Sequence, residues 1–293
     1  MRNVGADLGG SGSGSKADSE AAARRRKMTI QLREARRSLS EPDAIPSHSS
    51  AMVRLFAEIN RSATPMLGVI ALGVSATALA WVGAGGAYAL ASLRGGGEEG
   101  EAWHRAGHRG RKQNVFDDFH AAAQALVDAG TTTPAQLAIT GGSNGGLLVG
   151  AALTQRPELY RAVVCSAPLL DMVRYEEFAL GRTWNDEYGT AADAEELGWL
   201  LSYSPYHHVE PGTEYPAVLF TVFESDTRVD PLHARKMCAA LQYATTGDLE
   251  THPILLRRET DVGHGARSVS RTVALAVDQL AFLAAHTGLV LPT

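Results

Sequence analysis

The sequence predicts an α/β fold in which a mostly parallel sheet carries helices on both faces. From residue 66 onward, short apolar runs typical of buried strands alternate with helical patterns, and this alternation is typical of a parallel sheet covered by helices. One serine also stands among glycines, in the run Gly141–Gly146, between a predicted strand and a predicted helix. Glycines at such a point indicate a tight turn at the carboxyl edge of the sheet.

The predicted elements follow one another in chain order. Continuous apolar runs predict strands at residues 66–73, 87–92, 136–140, 161–166, 217–223 and 253–257, because strands of a sheet covered on both faces are apolar throughout. Apolar residues three or four positions apart predict helices at residues 76–83, 117–129, 145–154, 231–243 and 268–286. A further helix is predicted at residues 21–39, capped by Ser19 and ending before Pro42.

Composition and charge narrow the class of protein. The chain has 293 residues, of which 45% are hydrophobic and 20% charged, as in soluble globular proteins. Its net charge of −5 argues against a nucleic-acid partner, because such proteins are usually strongly basic. The two cysteines stand in no metal-binding or disulfide spacing, and the first 30 residues contain no apolar segment of a signal peptide. We therefore predict a cytoplasmic protein with free thiols.

Two regions differ in composition. Residues 1–50 hold nine basic and six acidic side chains and a linker-like run of glycine and serine, so we predict an irregular or helical basic tail over residues 1–60. Its arginine cluster would suit an acidic surface, but a solvated arm is the simpler interpretation. Residues 61–293 are predicted to form the folded domain. Residues 62–93 are uncharged and long enough to cross a bilayer, but Pro65 and several glycines divide them, so we expect no membrane anchor.

Three predicted loops carry the residues suited to catalysis. The hydroxyl of Ser143 needs a base to become a nucleophile, and that base needs a carboxylate to orient it. Asp226 follows the strand that ends at residue 223, and His264 stands between glycines before the last helix. This is the serine, acid, histidine order of α/β-hydrolases. The backbone amide of Asn144, at the start of a helix, is suited to stabilise a negatively charged oxygen.

Metal and phosphate sites are poorly supported by comparison. His104 and His108 stand four residues apart but lack the glutamate of the zinc-binding helical motif. The glycines at residues 95–97 lack the lysine and the serine or threonine of a phosphate-binding loop. We therefore predict no metal and no cofactor.

Seven short motifs complete a wider pattern around these residues: RGGGE at 94–98, KQN at 112–114, FDDF at 116–119, GGSNGG at 141–146, YSP at 203–205, DTRV at 226–229 and GHG at 263–265. Over about residues 66–290 the chain resembles the catalytic domain of the prolyl oligopeptidase family of serine peptidases. The resemblance implies an α/β-hydrolase that cleaves short peptides on the carboxyl side of proline. It implies that Ser143 is the nucleophile, Asp226 the orienting acid, His264 the base and the Asn144 amide an oxyanion donor.

The resemblance also implies a substrate pocket. Arg228 would bind a carbonyl oxygen of the substrate. Trp184 would stack on the proline ring, because a flat aromatic face buries a rigid ring at low entropic cost. Tyr188 and Val229 would line the same pocket.

Two departures from the family pattern qualify this expectation. Members carry a β-propeller of several hundred residues that excludes folded proteins, and this sequence holds nothing of that length before residue 66. We therefore expect no size filter and expect self-association through the face left open. In the first strand, Val69 stands where the family has a tyrosine that donates to the oxyanion, and loss of such a donor typically costs roughly a hundredfold in rate.

Two alternatives follow from these departures and from the pocket. The same fold can serve another acyl specificity, as an esterase, a dipeptidyl peptidase or a peptidase that cuts after basic residues. The chain can also be a truncated, inactive remnant.

Overall fold

The computed structural model describes residues 53–56, 68–71, 76–265 and 267–290. The strands are β1 (Val53–Phe56), β2 (Gly68–Ala71), β3 (Ala87–Ala91), β4 (Ala138–Gly142), β5 (Ala162–Ser166), β6 (Ala217–Phe223) and β7 (Ile254–Glu259). Within the described residues they form one sheet in the order β1-β3-β2-β4-β5-β6-β7. β1 runs antiparallel to β3, and the other neighbouring pairs are parallel. The predicted α/β fold with a mostly parallel sheet is confirmed.

The helices in the described part of the chain are α1 (Ala76–Gly83), α2 (Glu101–Arg105), α3 (Gln113–Asp128), α4 (Asn144–Gln155), α5 (Asn185–Tyr188), α6 (Ala194–Tyr203), α7 (Leu232–Ala244) and α8 (Val269–Thr287). The five helices predicted after residue 66 are present. α3 begins earlier than predicted, because Val115 and Phe116 already pack on the core. β4 extends beyond its predicted end, because Gly142 still pairs with Ser166 of β5.

Four elements were not predicted, namely β1, α2, α5 and α6. All are short or lack a regular apolar period in the sequence. A helix cap, not apolar periodicity, marks the start of α6 in the sequence. The Asp193 carboxylate accepts from the amides of Glu195 at 2.9 Å and Glu196 at 3.0 Å. The helix predicted at residues 21–39, and with it most of the predicted tail, lies outside the described residues.

The helices cover both faces of the sheet. Alternate residues of a strand point to opposite faces, and in β5 Val163 and Cys165 join the larger core while Ala162 and Val164 join the smaller one. Helices α3, α4 and α7 contribute to the larger core, and α1 and α8 to the smaller. This two-sided burial explains why the central strands are apolar throughout.

The uncharged segment at residues 62–93 contributes β2, α1 and β3 to this sheet and its cover. Among the described residues, no helix has both the length and the apolar character needed to span a bilayer. The backbone of Val69 in β2 pairs with Tyr88 and Ala138, whereas its side chain lies outside the described residues.

A buried histidine joins α7 to the loop after β5. His233 is 2% exposed, and its Nδ1 accepts from the amides of Asp171 at 3.1 Å and Leu170 at 3.4 Å. These bonds require a neutral ring, because a protonated Nδ1 cannot accept. Burial lowers the pKa of His233 from 6.5 to about 4.

Acidification should therefore weaken the fold through His233. Between pH 6.5 and pH 4 the unfolded chain binds a proton that the folded chain excludes, so the free energy of unfolding falls as the pH drops, by about 3 kcal/mol at most from this residue. We expect His233→Asn, which keeps an acceptor and does not titrate, to remove that part of the pH dependence. Urea unfolding of the wild type and of His233→Asn at pH 7.0, 5.5 and 4.5 measures this pH dependence. An equal pH dependence in the two proteins would contradict the role assigned to His233.

Candidate active site

The predicted turn around Ser143 is present at the carboxyl end of β4. Ser143 has φ 57° and ψ −118°, a conformation that a residue with a Cβ adopts only when its surroundings enforce it. Its amide donates to the Ser166 carbonyl at 2.9 Å, and its carbonyl accepts from the amides of Gly146 at 2.9 Å and Leu147 at 3.2 Å. The turn is thus anchored to β5 on one side and to α4 on the other.

Close packing explains two of the glycines at this turn. A Cβ on Gly141 would lie 2.1 Å from the Gly145 carbonyl oxygen, and a Cβ on Gly146 would lie 2.6 Å from the Pro168 side chain. Gly142 differs, since its Cβ would meet Ser166 at an ordinary 3.5 Å. Residues 141 and 146 therefore have no room for a side chain, in addition to the tight turn that the sequence predicts.

Asp226 and His264 are brought together in the loops after β6 and β7. The Asp226 side chain is 1% exposed, and its Oδ2 lies 2.7 Å from Nδ1 of His264. Its Oδ1 accepts from the amides of Arg228 and Val229, each at 2.9 Å. The carboxylate is therefore held by the backbone and orients the imidazole. With Nδ1 donating to Asp226, Nε2 is left as the basic nitrogen.

Ser143 stands at the same edge of the sheet, because parallel strands end together. In the described part of the chain its hydroxyl forms no hydrogen bond to His264 or to another side chain. A free hydroxyl is compatible with catalysis, because bonds between nucleophile and base are often long without substrate and tighten when it binds. The Asn144 amide, the predicted oxyanion donor, likewise donates to no other residue that the structure describes.

The four residues predicted to bind substrate differ in exposure. Arg228 is exposed and Trp184 is half-buried against the larger core. Tyr188 is 4% exposed and Val229 2%, so both are mainly core residues. The Tyr188 hydroxyl donates to Oδ1 of Asn144 at 2.8 Å, a contact that the sequence did not indicate.

The sequence analysis also did not predict a buried ion pair beside residues 184–188, which carry the predicted pocket residues Trp184 and Tyr188 and are called the pocket segment below. Lys112 is 3% exposed and its Nζ binds Oε1 of Glu187, while Oε2 of Glu187 lies 3.0 Å from Nε2 of His104. Burial lowers the pKa of Lys112 despite this partner. Burial alone would raise the pKa of Glu187, but Lys112 and His104 outweigh it and hold that pKa below its usual value. The sequence analysis had singled out the KQN motif at residues 112–114, but it assigned no role to Lys112.

His104 and His108 stack with ring centroids 5.3 Å apart. Among the residues that the structure describes, no group of three histidine, cysteine or acidic side chains is arranged to hold a metal ion. His104 instead pairs with Glu187.

Removing the charge of Lys112 should destabilise the protein. Lys112→Met leaves Glu187 without its main partner, and we expect a loss of about 3 kcal/mol in the free energy of unfolding. Adding Glu187→Gln should recover part of it, because no unpaired charge then remains. Arg105→Met is the matched control, since Arg105 and Glu101 form an exposed pair of little energetic value. Equal effects of the two methionine variants in urea unfolding would refute this assignment.

Comparison with known proteins identifies the family. The chain is 44% identical over 211 residues to a prolyl endopeptidase of Elizabethkingia meningoseptica, a match covering 71% of this chain and 30% of the relative. A structure from a study of two prolyl endopeptidases superposes with a TM-score of 0.73 at 51% identity, over 77% of this chain and 34% of that one. Oligopeptidase B from Leishmania major gives a TM-score of 0.75 at 28% identity, over 82% and 37%.

The chain therefore spans about a third of the length of these relatives. A family model described as the prolyl oligopeptidase family matches residues 73–289, which include the turn at Ser143 and the Asp226–His264 pair. On the strength of this match and of the shared fold, the chain belongs to the prolyl oligopeptidase family of peptidases.

Proposed function

We propose that the chain is a serine-type endopeptidase that hydrolyses short peptides on the carboxyl side of proline, with Ser143, Asp226 and His264 as its triad. The observation that carries the proposal is the 2.7 Å contact between His264 Nδ1 and the buried Asp226 carboxylate, at the edge of the sheet where Ser143 stands on a strained turn. The names of the relatives add the preference for proline, which belongs to those proteins and is proposed for this one.

The geometry supports the following steps. Nε2 of His264 takes the proton of the Ser143 hydroxyl, and Oγ attacks the carbonyl carbon of the scissile bond. The Asn144 amide stabilises the oxygen that becomes negative. The imidazolium, held by Asp226, gives its proton to the leaving amine and an acyl-enzyme remains. Water then loses a proton to His264 and attacks the acyl carbon, which releases the acid and restores Ser143.

Hydrolysis of a blocked Gly-Pro amide reporter tests the chemistry. We expect turnover by the purified chain and a loss of about 1,000-fold or more in Ser143→Ala, because the nucleophile is gone. Ser202→Ala is the control, since Ser202 is an exposed serine whose hydroxyl, among the described residues, donates to the Trp199 carbonyl within α6.

Full activity in Ser143→Ala would refute the proposed nucleophile. No turnover from a wild-type chain that unfolds cooperatively would favour the inactive alternative. Val69→Tyr, which supplies a hydroxyl at the position where the family has one, is then the variant to measure.

The preference for proline depends on Trp184. We expect Trp184→Ala to lower kcat/KM for the Gly-Pro reporter by roughly 10-fold to 100-fold. A matched reporter with Gly-Ala in place of Gly-Pro should be affected much less, because the flat face of the indole packs on the proline ring and not on the small alanine side chain. The control is Trp199→Ala, because Trp199 is half-buried too but packs over Gly110. Equal losses on both reporters would contradict the preference and favour another acyl specificity.

The compartment and the partners are also proposals. Both cysteines are free and buried, which supports the reducing cytoplasm that we propose. Short peptides remain the proposed substrates, and self-association of the chain remains a prediction that sedimentation can measure.

A further inference from the structure

Two side-chain oxygens stand at the start of helix α4, one on the capping residue Ser143 and one on the first helical residue, Asn144. Serine at the position before a helix usually accepts from an amide of the first turn, and asparagine readily bonds its own or a neighbouring amide. Ser143 makes no such capping bond. The Oδ1 of Asn144 accepts instead from the Tyr188 hydroxyl at 2.8 Å. Among the described residues, neither oxygen therefore accepts from the amide proposed to bind the substrate oxygen.

Tyr188 is held firmly enough for this task. Its side chain is buried, and its ring meets the edge of the Tyr175 ring at a centroid distance of 5.5 Å. The Nζ of Lys112 lies 5.0 Å from the centre of the Tyr188 ring and binds the neighbouring Glu187. The hydroxyl is therefore fixed by packing on its ring and by the ion pair of the preceding residue.

We propose that the Tyr188 hydroxyl is a positioning group that holds the Asn144 carboxamide away from the first turn of α4 and so keeps the Asn144 amide free for the substrate carbonyl oxygen. Without the hydroxyl, Oδ1 loses its donor, and the amides of Asn144 and Gly145, which donate to no other described residue, become available to it. The carboxamide would then compete with the substrate. This inference rests on the proposed function and gives Tyr188 a role distinct from lining the proline pocket.

Tyr188→Phe tests the role, because it keeps the ring and removes only the hydroxyl. We expect kcat to fall about tenfold for both the Gly-Pro and the Gly-Ala reporter with KM nearly unchanged, since full loss of an oxyanion donor costs roughly a hundredfold and the carboxamide only competes. A rise in KM confined to the proline reporter would show that Tyr188 merely lines the pocket and would overturn the proposal.

Two controls separate positioning from a general loss of stability. Tyr160→Phe removes another buried tyrosine hydroxyl, one that contacts His120 at 2.9 Å, and should leave kcat unchanged. In an Asn144→Ala background no carboxamide is left to compete, so adding Tyr188→Phe should cause no further loss of kcat. A further tenfold loss in that background would overturn the proposal.

A crystal structure of Tyr188→Phe tests whether the hydroxyl holds the Asn144 carboxamide in place, even if the wild-type chain has no turnover. We expect Oδ1 of Asn144 within about 3.2 Å of a backbone amide in the first turn of α4. A carboxamide that still points to residue 188 would overturn the inference. Failure of the proposed function shows separately, as equal turnover by wild type and Ser143→Ala.

Discussion

A left-handed backbone at a residue with a Cβ costs roughly 1 kcal/mol or more, and Ser143 adopts it because β4 passes into α4 at this single residue. The surrounding structure enforces the turn. The ladder with β5 continues to Gly142 and then to the Ser143 amide, while the carbonyl of Ser143 begins the hydrogen bonds of α4. β4 pairs with β2 on one side and with β5 on the other, and these two parallel ladders make the anchoring rigid. The chemistry proposed for the chain depends on that rigidity.

Backbone donors orient the acid as well. Two amides in the loop after β6 bind one oxygen of Asp226 and leave the other for His264. The loop itself is tied to the end of β7 and to the loop that follows it, since the amide of Glu224 donates to the carbonyl of Glu259 at 3.0 Å and the amide of Ser225 to that of Val262 at 3.1 Å. Asp226 and His264 are thus positioned by main-chain contacts between two adjacent strand ends, which restrict the movement of the imidazole.

Electrostatics links the pocket segment to the rest of the domain. Glu187 and Tyr188 are adjacent in α5, and they contact Lys112 and Asn144 respectively. A buried lysine is costly unless its charge is paired, so Lys112 ties the pocket segment to the start of α3. Trp184 precedes the same short helix. Through Glu187, Tyr188 and their partners Lys112 and Asn144, the residues predicted to line the pocket are connected to the start of α3 and to the start of α4.

The sequence by itself determined the order of strands β2 to β7 and of five of the helices, the turn at Ser143 and the loops that carry Asp226 and His264. These features depend on local causes: apolar periodicity, the run of glycines around Ser143, and the rule that parallel strands end at one edge. Only the tertiary structure decided the contacts of Tyr188 with Asn144 and of Lys112 with Glu187, which join residues 44 and 75 positions apart. It also placed Val229 in the core. Such pairings depend on how distant segments pack, and no local pattern encodes that.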